Sequence, residues 1–116
     1  MRAALLTAIL LASGSPALAA DGAALFAAKC VVCHKPHSTP AGPSLVGVVG
    51  RKIASLPDFP YSPALKAHSG QHWTTALLST YLAAPNAFAP GSAMFVGPIQ
   101  PSDRAAIVAY LKTLKS

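Results

Sequence analysis

The distribution of apolar and polar residues after the first twenty positions predicts short helices separated by long loops. A first helix is predicted from Ala23 to His34, rich in alanine and other helix formers, and Pro36 ends it. A second begins with Ser62 as N-cap and Pro63 in its first turn, and it stops at Gly70. Loops punctuated by proline and glycine follow each helix.

Two further helices are predicted toward the C-terminus. One runs from Thr74 to Ala84 and ends at Pro85, and the other begins after Pro101 with Ser102 or Asp103 as N-cap. The apolar stripes of these two helices consist of Leu77, Leu78, Tyr81, Leu82, Ile107, Tyr110, Leu111 and Leu114. Because no segment has a strand pattern and there is no internal repeat, we expect an all-α fold of about four helices.

The first twenty residues have the pattern of a secretory signal peptide. Met1-Arg2 supplies a positive start, an apolar run follows from Ala3 to Ala12, and Ala17-Leu18-Ala19 is typical of a cleavage site. A retained membrane anchor is the alternative, but the apolar run is short for crossing a bilayer. We expect cleavage near Ala19 or Ala20, which leaves one domain over residues 21–116.

Length and charge limit the function classes. A chain of 116 residues can form one small domain, whose polypeptide core is marginal by itself. Without Arg2, eight basic side chains remain against three acidic ones, a net charge of +5. The basic residues are scattered and the chain is exported, so nucleic-acid binding is a poor explanation. An acidic patch on a protein partner, or an anionic membrane surface, fits better.

Both cysteines lie in Cys30-Val31-Val32-Cys33-His34. Thiols spaced C-x-x-C, followed by histidine, are typical of covalent haem attachment through two thioether bonds, with the imidazole as the proximal iron ligand. Three alternatives fit less well. A thioredoxin-like redox pair would need a preceding strand, and a structural zinc site would need a second cysteine pair, neither of which the sequence shows. A disulfide between Cys30 and Cys33 would close a small, strained loop. Because bacteria attach this haem outside the cytoplasmic membrane, the motif favours a periplasmic protein.

In the predicted first helix, Phe26, Cys30, Cys33 and His34 share one face, which must meet the haem. Once the signal is removed, Met94 is the only methionine, in a Pro/Gly-rich loop. A thioether is a soft, neutral ligand, so Met94 is the favoured second axial ligand of the iron.

Other assignments remain open for the second axial position. Met94 could be ordinary core filler, and His72 could give bis-histidine ligation. An open coordination position is the third possibility. His37 is too near His34 in sequence to reach the opposite side of the haem easily, and we expect His68 and His72 to be surface residues.

Several short motifs beyond the Cys-His motif match a known family. They are Gly22 and Phe26 with Tyr110, Gly42-Pro43-Ser44-Leu45-Val46-Gly47, Gly50-Arg51-Lys52, Tyr61 with Trp73, Tyr81-Leu82-Ala83-Ala84-Pro85, and Pro90-Gly91-Ser92-Ala93-Met94. On these residues the chain resembles the small class I c-type cytochromes, close to bacterial cytochrome c2 and mitochondrial cytochrome c. The resemblance covers nearly all residues after the signal.

The resemblance implies roles for the residues around the haem. The carbonyl of Pro43 would accept a hydrogen bond from the ring N–H of His34. Arg51 would lie near a haem propionate, and Tyr61 and Trp73 would donate hydrogen bonds to the buried propionate.

Two further contacts follow from the same resemblance. The hydroxyl of Tyr81 would lie near the sulfur of Met94. Gly22 and Phe26 would pack against the C-terminal helix at Tyr110.

One departure from the family concerns the partner surface. Phe95-Val96-Gly97-Pro98 stands where the family usually carries lysines beside the exposed haem edge. We therefore expect an apolar contact with the redox partner, with weaker electrostatic steering by Lys29, Lys35 and Lys52.

The combined hypothesis is a periplasmic haem protein that shuttles single electrons and is not an enzyme. Its expected partners are a periplasmic dehydrogenase, a cytochrome bc1-type complex or a terminal oxidase. It would contact membrane complexes peripherally, as a monomer. The alternatives are a haem c subunit of a periplasmic dehydrogenase or oxidase complex, and a ligand-binding or peroxidatic haem protein with a labile Met94.

Overall fold

The computed structural model describes Ala4 and residues 21–115, so the predicted signal peptide lies outside the described residues apart from Ala4. The helices within residues 21–115 are α1 (Gly22–Lys29), α2 (Pro63–Lys66), α3 (Thr75–Ala83), α4 (Pro85–Phe88) and α5 (Pro101–Leu111). Residues 21–115 contain no strand, only two isolated bridges. The all-α prediction is therefore confirmed, with one helix more than expected.

The first helix is shorter than predicted. Asp21 caps α1 by accepting from the backbone N–H groups of its first turn, and the helix ends at Lys29 rather than at His34. The N–H of Val31 bonds to the carbonyl of Phe26, five residues back, so the last turn widens and the helical register is lost. The prediction that one helix face carries the whole Cys-His motif is therefore wrong.

Pro85 has two roles, of which the sequence pattern showed one. It ends α3, which Thr74 caps through a side-chain bond to the N–H of Leu77 at 3.1 Å. It also occupies the first turn of α4, a helix that we did not predict. Proline suits a first turn because its fixed φ is already helical and its missing N–H has no partner there.

The same preference explains the start of the last helix. We expected Ser102 or Asp103 as N-cap, but α5 begins at Pro101 with Gln100 as N-cap, and no side chain among the described residues caps it. The predicted start of α2 is confirmed, since Ser62 caps it and Pro63 lies in its first turn. The α-helical part of α2 stops at Lys66, and turns continue to Gly70.

α1 and α5 cross in close contact. A Cβ on Gly22 would overlap the carbonyl oxygen of Ala106, so only glycine permits this approach. The rings of Phe26 and Tyr110 meet with centroids 5.1 Å apart. The packing of Gly22 and Phe26 against the last helix is as expected.

The buried core lies where α3 and α5 meet the long loop before α2. Its fully buried side chains are Val48, Ile53 and Ile107. Partly buried residues of the candidate site, including Tyr81 and Met94, pack against this core. Among the described residues, no helix has the length and apolar character to cross a membrane.

Candidate cofactor-binding site

Cys30, Cys33 and His34 lie in the turn directly after α1. The N–H groups of Cys33 and His34 both donate to the carbonyl of Cys30, at 3.1 and 2.8 Å. Both thiols are free, with Cys30 buried and Cys33 exposed. Burial raises the pKa of the Cys30 thiol, and the charge of Lys29 opposes that effect. One turn thus holds two free thiols and an imidazole.

The His34 ring is oriented by the loop that follows. Its Nδ1 lies 2.8 Å from the carbonyl oxygen of Pro43, and because a carbonyl can only accept, Nδ1 carries the hydrogen. Nε2 then keeps its lone pair for a metal ion. Burial lowers the pKa of His34; the bond to Pro43 opposes this, and the charge of Arg51 adds to it. The neutral, metal-binding form of the imidazole is therefore favoured.

Gly42 is a site residue whose contact with the imidazole the sequence analysis missed. A Cβ at this position would lie 2.8 Å from the carbonyl oxygen of Cys33 and 3.1 Å from Nδ1 of His34. Any larger residue would push the ring or the loop aside. The glycine directly before Pro43 was the available signal.

Hydrogen bonds within residues 36–46, and from Arg51 to this loop, make it a compact support. The hydroxyl of Ser44 donates to the carbonyl of Pro36 at 2.8 Å and accepts from the N–H of Val46 at 3.2 Å. Arg51 donates to the carbonyls of Ser44 and Val46 at 3.0 and 3.2 Å. We call residues 30–51 the histidine segment.

Arg51 and Tyr61 form the charged and polar side of the site. Nε of Arg51 is buried without a hydrogen-bond partner among the described residues. Burial lowers the pKa of Arg51, which nearby Tyr61 and Asp58 oppose. Burial also raises the pKa of Tyr61, whose hydroxyl accepts from the N–H of Leu56 at 3.3 Å. An anionic acceptor would suit the orphaned guanidinium nitrogen.

An aromatic cluster occupies another part of the site. The ring of Trp73 is buried, with its centroid 5.2 Å from that of Tyr81 and 5.8 Å from that of Phe88. Tyr61 packs instead against Phe59, at 5.0 Å. The expected pair Tyr61 and Trp73 thus contributes two buried aromatic side chains from different clusters.

Met94 lies in residues 89–98, which we call the methionine loop. It is half-buried, and its N–H donates to the hydroxyl of Ser92 at 3.2 Å. The same hydroxyl lies 3.4 Å from that of Tyr81, which we expected at the Met94 sulfur. Sequence reasoning missed Ser92, the buried polar residue that links the two. Its place two positions before the methionine was the only signal.

The remaining histidines differ in their surroundings. His37 and His72 are exposed, as expected for His72. The prediction of a surface position is wrong for His68, which is half-buried and bonds to the carbonyl of Phe88 at 2.9 Å. The carbonyl at the end of α4 binds the ring and draws it inward.

A shallow groove of about 480 Å³ lies beside Met94. We call its lining, residues 83–86 and 94–98, the apolar surface. Within it the side chain of Phe95 is 88% exposed. The sequence has no Asp, Glu, Lys or Arg between Lys66 and Asp103, so the apolar surface lies in an uncharged part of the chain.

The donor set fits a covalently attached haem better than a bare metal ion. Within the part of the chain that the structure describes, no cluster of three His, Cys, Asp or Glu side chains could hold a metal. The histidine segment offers two thiols and an imidazole with a free lone pair, and Arg51 has an unpaired donor. A group that brings its own iron and its own anionic substituents matches these features.

Comparison with known proteins assigns the family. The Cytochrome c family model matches residues 19–115. Cytochrome c2 of Rhodopseudomonas palustris is 40% identical, over 84% of this chain and 98% of that protein. The c-type cytochrome cy of Rhodobacter capsulatus is 47% identical over 73% of this chain, which spans only 43% of that relative's length.

A solved structure agrees with the assignment. Cytochrome cH from Methylobacterium extorquens superposes with a TM-score of 0.72 at 40% sequence identity, covering 82% of this chain and 97% of that one. The fold is thus that of the class I c-type cytochromes. This chain belongs to the cytochrome c family, whose members carry covalently bound haem c with iron and transfer electrons.

Proposed function

We propose that this chain is a periplasmic carrier of single electrons, in which Cys30 and Cys33 hold haem c and His34 and Met94 are the two axial ligands. The observation that carries the proposal is the 2.8 Å hydrogen bond from His34 to Pro43, in the same turn as both thiols. When bound, haem iron supplies a one-electron change between ferric and ferrous states.

The chain's own residues explain why such a change would be easily reversible. Pro43 and Gly42 hold the imidazole in one tautomer and one orientation, so that it need not move when the charge of the iron changes. Met94 supplies a soft, neutral sulfur that favours the reduced state. Its fixed N–H limits the motion of the loop that carries it.

Arg51, Tyr61 and Trp73 would shelter the propionates. The unpaired Nε of Arg51 would gain an acceptor, and the hydroxyl of Tyr61 can still donate because it now only accepts from Leu56. Such donors offset the cost of burying a carboxylate in an apolar site.

Substitution of Met94 tests the axial assignment. Met94→Ala should lower the reduction potential by roughly 0.2 V, a fraction of the range that axial ligands cover. It should also abolish the absorption band of the ferric iron–sulfur bond. Phe95→Ala is the matched control, since the adjacent side chain is exposed. Unchanged spectra and potential for Met94→Ala would reject the assignment.

The apolar surface suits an uncharged contact on a redox partner, such as a dehydrogenase, a cytochrome bc1-type complex or a terminal oxidase. Phe95 projects from it, and no charged side chain belongs to its lining. Burial of such a ring stabilises a complex without dependence on salt. Lys29, Lys35 and Lys52 would then contribute only steering.

Paired serine variants test this contact with the native membrane fraction as electron acceptor. Phe95→Ser should slow the second-order reaction about tenfold, equivalent to ~1.4 kcal/mol of docking energy. Val32→Ser is the control, because within residues 21–115 Val32 is the other large apolar side chain that is strongly exposed, at 72%. A rate that is unchanged in Phe95→Ser but collapses on removal of the lysines would contradict the proposal.

The exposed ring of Phe95 also supports a second candidate function, that of a haem subunit in a larger complex. A permanent apolar interface would also cover Phe95. Size exclusion of the native extract separates the two, since a carrier elutes alone and a subunit elutes with its partners. Periplasmic residence is tested by fractionation, with N-terminal sequencing to locate cleavage near Ala19 or Ala20.

A further inference from the structure

The connection between α2 and α3 directs one side chain toward the end of α4. Nε2 of His68 lies 2.9 Å from the carbonyl oxygen of Phe88, so Nε2 carries a hydrogen and donates it. Nδ1 lies 3.1 Å from the amide of Gln71, which can turn its NH2 group toward the ring. Both ring nitrogens are therefore occupied.

The ring of His68 also stacks on the ring of Phe88, the residue whose backbone carbonyl it binds. The centroids of His68 and Phe88 are 4.1 Å apart, and their planes differ by 22°. Phe88 in turn packs against Trp73 and Tyr81. His68 is thus the outermost layer of the aromatic cluster.

Phe88 is the residue at which α4 ends and the chain enters the methionine loop. Carbonyls at a helix C-terminus have no partner within the helix, and His68 satisfies this one. Ala89 follows and is completely buried. Beyond the loop, Arg104 donates to the carbonyl of Ile99 at 2.9 Å. Side chains from elsewhere in the chain therefore hold the backbone on both sides of Met94.

We infer that His68 is a positioning residue that keeps the methionine loop closed. Its hydrogen bond forms only when α4 and the start of the loop occupy their observed place, so it stabilises the closed loop selectively. An external ligand reaches the iron only when Met94 has left it, and its apparent affinity scales with the open fraction. This inference rests on the proposed ligation by Met94.

Cyanide binding to the ferric holoprotein measures the open fraction. His68→Ala should bind cyanide about fivefold to tenfold more tightly, as expected for the loss of one hydrogen bond. His68→Phe keeps a stacking ring but has no donor, so it should show the same increase. His72→Ala is the control, because His72 is exposed in the same connection.

The free energy of unfolding of each variant, measured in denaturant, shows whether His68 acts on the methionine loop or only stabilises the fold as a whole. Loss of stability in His68→Ala without a change in cyanide affinity would overturn the inference. So would wild-type affinity in His68→Phe, or an equal increase in His72→Ala. If the wild-type ferric protein lacks the iron–sulfur band, the ligation by Met94 fails first, which is a distinct result.

Discussion

The histidine segment and the methionine loop hold their candidate ligands in different ways. In the histidine segment, hydrogen bonds to Pro43 and to Ser44 arise within the segment itself. The methionine loop has one internal side-chain bond, from Met94 to Ser92. It also has a backbone bond from the N–H of Ser92 to the carbonyl of Ala89. Its other side-chain contacts come from outside the loop, from Tyr81 and, at its two ends, from His68 and Arg104.

The two regions should therefore respond differently when contacts elsewhere in the molecule are lost. A ligand held by its own sequence neighbours stays in place when distant parts of the molecule move. A ligand held from outside is released when any of several remote contacts fails. We therefore expect damage to the histidine segment to destabilise the whole protein, and damage around the methionine loop to open the iron to other ligands.

Two glycine substitutions give the largest expected contrast. Gly42→Ala should lower the free energy of unfolding by about 2–3 kcal/mol, because its Cβ would collide with Cys33 and the His34 ring. Gly91→Ala should cost about 1 kcal/mol, since Gly91 has φ 83° but open space around it. Guanidinium unfolding of the holoproteins measures both, and equal costs would contradict the distinction.

A serine pair gives a smaller contrast with two separate readouts. Ser44→Ala removes two hydrogen bonds and should cost about 2 kcal/mol of stability. Ser92→Ala should cost about 1 kcal/mol, because it removes the acceptor of the Met94 N–H, whereas the contact with the Tyr81 hydroxyl that is also lost is long, at 3.4 Å, and therefore weak. Cyanide affinity should rise in Ser92→Ala alone. A rise of similar size in Ser44→Ala would show that the two regions are coupled.

The smallest effect is confined to alkaline pH. Burial raises the pKa of Tyr61, so the unfolded chain ionises first, at about pH 10. The neutral Tyr61 hydroxyl therefore contributes to the free energy of unfolding. This contribution is fully present below about pH 10 and is lost as the pH rises through the pKa of Tyr61 in the folded state. Tyr61→Phe should remove this part of the decline in unfolding free energy. Parallel stability curves for variant and wild type above pH 10 would exclude this role for Tyr61.

The helices and the cofactor chemistry were largely predictable because they depend on local signals. Ser62 and Thr74 cap the helices that their sequence positions indicated. The end of α1 was not predictable from periodicity, since the widened turn after Phe26 replaces one hydrogen-bond register by another without a helix breaker. α4 was not predicted because Pro85 was interpreted only as the end of α3, although a proline that ends one helix can also start the next.

Residues that act across the chain were the ones missed. His68 resembles an ordinary turn residue in sequence, and its partner Phe88 lies twenty positions away. Gly42 and Ser92 stand next to recognisable motif residues, but their importance depends on the ring and the N–H that they meet in space. Local patterns carry no information on such contacts.

The crossing of α1 and α5 also bears on the order of events during biogenesis. Cys30 is buried at the end of α1, the helix that α5 packs against, and α5 follows every other described helix along the chain. When the chain emerges with its N-terminus first, the Cys-His motif is exposed well before α5 is available to pack against α1. Haem attachment would then act on an open chain, and docking of α5 would follow as the step that closes the matured protein.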